Sequence, residues 1–202
     1  ITQEAIPLIR GLSSSYGLNY VPGTWIESIQ VLKGAGSVVN GYESFTGQIN
    51  LEYFKPETAD KLYWNVYTNT AQKIENNLAI ARLSGDWSSN LFTHLAYQAK
   101  ELDHNGDGFM DVPNVKNLNI LNRFVYDGSD IFRAQLYVKG LYEDRVGGQT
   151  SNFTNPYKVD VHNDMIEVAT KTGLRPNEDG SSLGLQTAFR RHNQTAQFGN
   201  NL

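Results

Sequence analysis

Residues 131–142 read IFRAQLYVKGLY, and their side chains alternate in character from one position to the next. One set is apolar or aromatic: Phe132, Ala134, Leu136, Val138 and Tyr142. The other set is largely polar: Arg133, Gln135, Tyr137 and Lys139. Because successive side chains of an extended chain point to opposite faces, this pattern predicts a β-strand with one apolar and one polar face.

The same alternation recurs along the chain after residue 60. It is clear in residues 91–100 (LFTHLAYQAK) and 165–174 (MIEVATKTGL). Weaker candidates complete the set: residues 62–69, 77–83, 118–126 and 183–191. Together these segments predict about seven strands, each near the roughly 9 to 11 residues that a tilted strand needs to cross a bilayer.

The predicted connections alternate between short and long. Residues 86–90, 127–130 and 177–181 are rich in Asp, Asn, Gly and Ser and predict hairpin turns. Residues 101–116 and 144–160 are longer, polar and interrupted by proline. Short turns at one edge and long loops at the other are typical of an outer-membrane barrel. A soluble antiparallel sandwich also has alternating strands, so alternation alone leaves both architectures open.

Composition excludes several classes of protein. The 202 residues include 17 Lys and Arg against 21 Asp and Glu, a formal charge of −4, so the basic excess typical of nucleic-acid-binding proteins is absent. The absence of Cys excludes a disulfide scaffold, a thiolate metal site and a cysteine nucleophile. No nucleophile elbow, phosphate-binding loop or dinucleotide fingerprint occurs, so we expect no enzyme activity.

The first 60 residues have a different pattern. Glycine and small residues separate two short β-like runs, residues 25–32 and 48–54. Lys55-Pro56-Glu57 would then end any strand, because proline cannot donate a ladder hydrogen bond. We therefore expect a compact domain of short strands over residues 1–57 and a second, strand-rich domain over residues 58–202.

A longer motif lies inside the first domain. Residues 20–37 read YVPGTWIESIQVLKGAGS, followed by NGYES at 40–44 and TGQINL at 46–51. This order resembles the carboxy-terminal part of the plug domain of TonB-dependent outer-membrane receptors, V-E-x-I-E-V-L-K-G-P-x-S-x-x-Y-G and then G-x-I-N. The matching residues are Ile26, Ile29, Val31, Leu32, Lys33, Gly34, Ser37, Gly41, Gly47, Ile49 and Asn50. Ala35 and Asn40 depart from the pattern, which usually has Pro and an aromatic residue there, but the spacing is kept.

The resemblance implies a mainly β fold, with a plug of short strands inside a large antiparallel transmembrane β-barrel. About seven strands cannot close a barrel wide enough to need a plug, so we expect an incomplete portion of a larger protein. The family implies active uptake of a scarce nutrient across the outer membrane of a Gram-negative bacterium, with a ferric siderophore or another metal chelate as the commonest cargo. Implied partners are the TonB complex of the inner membrane, reached through a segment outside this chain, and outer-membrane lipid. No cofactor is required.

In such a receptor the cargo would contact the plug apices and the long loops. The candidate substrate-binding residues are Ser14, Tyr16, Tyr42, Glu43 and His162. His162 lies between Asp160 and Asp164, where it could meet a cationic or metal-chelate cargo or simply be solvated.

Residues 103–111, DHNGDGFMD, place oxygen donors at alternate positions of a possible calcium loop. The candidate ligands are the side chains of Asp103, Asn105, Asp107 and Asp111 and the carbonyl of Phe109. The twelfth position is Asn114 rather than the Glu of an EF-hand. The segment is therefore either an isolated Ca²⁺ site in an extracellular loop or a metal-free turn. It also supports an alternative protein class, a soluble calcium-stabilised β-sandwich binding module; a secreted β-rich hydrolase has only exposed carboxylates in its favour.

Overall fold

The computed structural model describes residues 1–8, 16–36, 45, 47–175 and 180–199. The protein is mainly β and divides into two compact units, Ile1–Ala59 and Asp60–Leu202. Across the described ranges, no helix is long and apolar enough to cross a membrane.

The first unit holds a four-stranded sheet made of β1 (Thr2–Gln3), β2 (Ile6–Pro7), β3 (Ile26–Lys33) and β4 (Gly47–Tyr53). The order of the strands in this sheet is β2-β1-β4-β3. β1 and β4 are parallel, whereas the other pairs are antiparallel. The rings of Trp25 and Tyr53 are buried and meet edge to face at 6.0 Å, so they form part of the core of this unit. β3 and β4 coincide with the two β-like runs expected from the sequence.

The second unit is an open, seven-stranded antiparallel sheet in which each strand pairs with the next along the chain. The strands are β5 (Leu62–Thr68), β6 (Ile74–Ser84), β7 (Trp87–Gln98), β8 (Asn114–Tyr126), β9 (Phe132–Gly148), β10 (Lys158–Leu174) and β11 (Leu183–Phe198). All seven predicted segments fall on these strands. β5 and β11 are the outermost strands of the sheet.

The connections differ in detail from the prediction. The turn expected at residues 86–90 is wrong: Ser84 pairs with Trp87, so the turn consists of Gly85 and Asp86. Gly85 has φ of +57°, which glycine adopts without a steric cost. Residues 88–90 look like a turn because they are polar, but pairing with residues 81–83 keeps them extended.

The long loops are also shorter than predicted, because the strands extend into both. They span residues 99–113 and 149–157, with the short connection 69–73 at the same edge of the sheet. The opposite edge carries the connections 85–86, 127–131 and 175–182. The predicted turn at 177–181 lies largely outside the described residues.

The two faces of the seven-stranded sheet differ in burial, and the face with the charged residues is the buried one. We call one the apolar face; its exposed side chains include Leu95, Ile120, Leu136, Val138, Ile166 and Phe189. We call the other the polar face; its buried side chains include the polar residues Asn117, Asn119, Arg123, Lys139, Glu143 and Glu167 and the apolar residues Phe92, Leu121, Tyr137, Leu141 and Met165. A soluble antiparallel sheet normally buries its apolar face and solvates its polar one.

Candidate functional site

The two long loops of the second unit join into one structure. Met110 N donates to Gly148 O at 2.8 Å, and Thr150 N donates to Gly108 O at 2.8 Å. Phe109 and Gln149 form an antiparallel bridge between these bonds. Residues 99–113 and 149–157, the loop pair, therefore present one connected surface at this edge of the sheet.

A carboxylate ties the two loops together. Glu101 accepts hydrogen bonds from Lys158 Nζ at 2.8 Å and from the backbone N and hydroxyl of Ser151 at 2.8 and 2.7 Å. The bond from Lys158, followed by those from Ser151, lowers the pKa of Glu101 to about 2 from its usual value near 4.5. The carboxylate of Glu101 is therefore charged at neutral and mildly acidic pH.

The hydrogen bonds accepted by Glu101 predict that the two loops of the loop pair separate in acid. Because the pKa of Glu101 is lower in the folded state, its stabilisation is complete above about pH 4.5 and is lost as the pH falls towards 2. The chain has no Cys, so spin labels on V112C and N152C can report the distance between the loops. We expect the distribution of distances between the two labels to broaden as the pH falls from 4.5 to 2. In Glu101→Gln the distribution of distances should be broad already at pH 7; a wild-type distribution that stays narrow at pH 2 would contradict the prediction.

Gly148 lies at the joint between β9 and the second loop in a conformation that other residues adopt with strain. Its φ is +102°, and a Cβ there would lie 2.3 Å from the carbonyl oxygen of Tyr157. We expect Gly148→Ala to destabilise the loop pair by about 1–3 kcal/mol, since backbone must shift to relieve the contact. Gly147→Ala is the matched control, because its Cβ would meet nothing closer than Pro113 Cβ at 3.8 Å. The rate at which a protease cleaves residues 149–157 measures the destabilisation in both variants. Equal cleavage of Gly148→Ala and Gly147→Ala would contradict the prediction.

The acidic segment 103–111 is folded around Asp103. Its Oδ1 accepts the backbone N–H groups of Gly106 and Asp107 at 2.7 and 3.2 Å, and its Oδ2 accepts that of Gly108 at 2.9 Å. Asp107 accepts from Phe109 N at 2.8 Å and from the Asn105 amide at 2.9 Å. The carboxylates of Asp103 and Asp107 therefore shape the turn through its own backbone.

Asp111 closes the other end of this segment. It accepts from the backbone N of His104 at 2.9 Å, and the imidazole Nδ1 of His104 lies 2.6 Å away. The backbone bond, and then the imidazole bond, lower the pKa of Asp111. The bond to His104 N holds Asp111 close to the start of the loop.

The donor set is chemically suited to Ca²⁺, which prefers carboxylate, amide and carbonyl oxygens. In the described part of the chain, no three Asp, Glu, His or Cys side chains converge in metal-ligand geometry. The calcium site at residues 103–111 stays a prediction. If it is correct, isothermal titration should show saturable Ca²⁺ binding that Asp103→Asn weakens at least about tenfold, since one negative ligand is removed. Asp86→Asn, at the opposite edge of the sheet, is the control; undetectable binding to the wild type would reject the site.

His162 lies on β10 beside two carboxylates. Its Nδ1 is 2.6 Å from Asp144 Oδ1, and its Nε2 is 3.7 Å from Asp164 Oδ1. Tyr142 donates to the second oxygen of Asp144 at 2.5 Å, and its ring meets the imidazole edge to face at 5.2 Å. His162 is thus a member of a polar cluster at the apolar face.

The remaining predicted substrate residues are only partly described. Ser14, Tyr42 and Glu43 lie outside the described residues. Tyr16 is half-buried in the first unit, where its carbonyl accepts the N–H of Asn19 at 2.8 Å. The proposed contact of these residues with cargo stays a prediction.

No protein-family model and no curated protein sequence matches the chain. The function is therefore argued from the geometry and from the motif in residues 20–51.

Sequence reasoning missed the charged network on the polar face. Glu167 is fully buried, accepts from Tyr137 Oη at 2.7 Å and pairs with Arg190. Glu143 is also fully buried; it accepts from Asn117 Nδ2 and, through both oxygens, from Arg145, each at 2.8 Å. The signal that could have revealed it is the recurrence of charged and amide residues among apolar ones at alternate positions of β8 to β10.

Proposed function

We propose that this chain belongs to a TonB-dependent receptor of the Gram-negative outer membrane. It would import a scarce nutrient, with a ferric siderophore or another metal chelate as cargo. The observation that carries the proposal is the burial of the seven-stranded sheet: its apolar face is exposed, and its buried face holds charged and amide side chains among apolar ones. Lipid on one side and a polar lumen on the other would satisfy both faces.

The extent of the apolar face supports this environment. On β9 it runs from Phe132 to Tyr142, which is about 33 Å of strand at roughly 3.3 Å per residue. With a tilt of about 40°, this length spans about 25 Å along the membrane normal, close to the height of the apolar band of an outer-membrane barrel. β9 and β10 have 17 residues each, so both would project beyond the membrane at the edge that carries the loop pair.

Aromatic side chains occur at both limits of this band. Trp87, Tyr126 and Phe132 form a cluster at the short-turn edge, with ring centroids 5.0 and 6.1 Å apart. Tyr97 and Tyr142 lie on the apolar face at the opposite limit, and both are nearly half exposed. Two aromatic levels flanking an apolar band are typical of barrel strands at the two membrane interfaces.

Two arginines are exceptions on the apolar face. Arg82 pairs with Ser89, near the short-turn edge, where the cost of a charge in lipid is small. Arg191 pairs with Ile166 on the outermost strand, one pair below Asn193 and Asp164. An arginine side chain is long enough to extend its guanidinium towards that polar pair.

The proposed role gives the two units different tasks. The first would be the plug, which the motif in residues 20–51 resembles, and the second would supply wall strands whose polar face lines the lumen. The loop pair would lie on the extracellular side, where cargo arrives. The driving energy would come from the TonB complex.

The proposal is tested by extracting the native protein from membranes and recording gel mobility before and after boiling, together with intact mass. A species that needs detergent and changes mobility on boiling is expected, because closed barrels resist unfolding by detergent until heated. A water-soluble monomer that keeps its mobility would reject the receptor and favour the calcium-stabilised sandwich.

A further inference from the structure

Two chemically reactive pairs of residues follow one another in the first loop of the loop pair. Asn105 precedes Gly106, and Asp107 precedes Gly108; the first three of these residues are exposed and Gly108 is half-buried. A glycine has no side chain to shield its backbone nitrogen. In Asn-Gly and Asp-Gly pairs this nitrogen therefore attacks the preceding side-chain carbonyl carbon readily and closes a succinimide ring. Water has free access to both pairs in this loop.

The two nitrogens that would attack have the same hydrogen-bond partner. Gly106 N donates to Asp103 Oδ1 at 2.7 Å, and Gly108 N donates to Asp103 Oδ2 at 2.9 Å. A hydrogen bond to an ionised carboxylate is stronger than one to a neutral acceptor. Each nitrogen must break such a bond before it can attack, so one carboxylate restrains both reactions.

The side chains that would be attacked are also held by hydrogen bonds. The Asn105 side chain accepts from Asp107 N at 3.2 Å and donates to Asp107 Oδ2 at 2.9 Å. The other oxygen of Asp107 accepts from Phe109 N at 2.8 Å. These bonds restrict the rotation of both side chains. The attacking and the attacked groups are therefore restrained within the same turn.

We propose that Asn105 and Asp107 form a latent modification site, which Asp103 protects and which reacts once the turn around Asp103 opens. At Asn105, the Gly106 nitrogen would lose its proton and bond to the side-chain carbonyl carbon, and the side-chain amide would take up a proton and leave as ammonia. Water would then open the succinimide at either carbonyl group, which leaves aspartate or isoaspartate. At Asp107 the leaving group would be water, so the product differs from the original residue only when isoaspartate forms.

The two positions should react in a defined order, Asn105 before Asp107. At Gly106, a Cβ would meet no atom within 4 Å outside its chain neighbours, so its surroundings are open. At Gly108, a Cβ would lie 2.6 Å from the ring of Phe153, which restricts this glycine even without the bond to Asp103. The neutral amide of Asn105 is also a better electrophile than an ionised carboxylate.

The modification would keep the turn open. Hydrolysis at Asn105 replaces an amide donor, 2.9 Å from Asp107 Oδ2, with a second carboxylate, and the two like charges repel each other. Isoaspartate also adds a carbon to the backbone and displaces Gly106 N from Asp103. The inference goes beyond the proposed function and does not depend on it, because the loop contains the same residues in a receptor and in a soluble binding module.

The test follows the full-length protein at neutral pH in the presence of a chelator, so that bound Ca²⁺ does not contribute. Peptide mass spectrometry quantifies the loss of the amide nitrogen at Asn105, and electron-transfer fragmentation identifies isoaspartate at both positions. In the wild type, Asn105 should react at least about tenfold more slowly in the folded protein than in guanidinium chloride, because the bond to the charged Asp103 must be broken first. Asp103→Ala should bring the rate in the folded protein close to the rate in denaturant.

Asp111→Asn is the matched control. It removes one negative charge from the same loop, as Asp103→Ala does, but it keeps an oxygen that can accept the bond from His104 N. We expect Asn105 to react in this variant at the wild-type rate. The comparison of folded and denatured wild type needs no substitution, so the test remains decisive even if Asp103→Ala misfolds.

Equal rates at Asn105 in the folded and the denatured wild type would overturn the inference, since the turn would then give no protection. A slower reaction in Asp103→Ala would also overturn it, because Asp103 would then assist the loss of the proton from Gly106 N. If Asp111→Asn accelerated the reaction as much as Asp103→Ala, the protection would come from the charge of the loop and the assignment to Asp103 would be wrong.

Discussion

Val138→Arg is expected to lower the free energy of unfolding by about 2–4 kcal/mol when the protein is embedded in lipid. Val138 lies on the apolar face of β9, 40% exposed, between Asn122 on β8 and Val168 on β10. If this level is near the bilayer midplane, the guanidinium must leave water for hydrocarbon. If the face were solvated instead, the same substitution would change stability by no more than about 0.5 kcal/mol.

Val146→Arg provides the matched control. Val146 lies on the same strand and the same face, but its cross-strand partners are the polar residues Asn114 and Asp160. The cost there should be no more than about 1 kcal/mol, because this level is outside the hydrocarbon. Urea unfolding in lipid vesicles measures both variants. Similar costs at the two positions would show that the apolar face is not in lipid.

The strands and the two faces were predictable because both depend on a local pattern. Alternation in residues 131–142 and its repeats located all seven strands of the second unit and separated Val138 from Lys139. The sequence did not reveal which face would be buried, since a soluble sheet and a membrane-facing sheet carry the same alternation. Burial is a property of the assembled sheet, and it is the observation on which the functional proposal depends.

Strand ends and loop contacts were less predictable. Polar residues 88–90 looked like a turn because cross-strand pairing with residues 81–83 is not visible locally. The Asp103 turn could be expected, since all its hydrogen bonds join residues close in sequence. By contrast, the bond from Lys158 to Glu101 joins residues 57 positions apart, and only the register of β8 to β10 brings them together.

Glu167→Ala is expected to cost about 3–5 kcal/mol of folding free energy. Glu167 lies on β10 between two cations, directly opposite Lys139 on β9 and Arg190 on β11. Both Glu167 and Lys139 are fully buried. Removing the carboxylate leaves the ammonium of Lys139 near the guanidinium of Arg190 without the intervening anion, and it also removes the acceptor of the hydrogen bond from the Tyr137 hydroxyl.

Two controls separate charge from hydrogen bonding. Tyr137→Phe removes the hydrogen bond to Glu167 while keeping the charge of Glu167, and it should cost about 0.5–1.5 kcal/mol. Lys139→Met in the Glu167→Ala background should restore part of the lost stability, because it removes one of the two remaining cations while keeping an apolar side chain of similar length. Urea unfolding in vesicles gives all three values. If Glu167→Ala costs no more than Tyr137→Phe, the cations do not depend on Glu167, and water or another anion must compensate them in the folded protein.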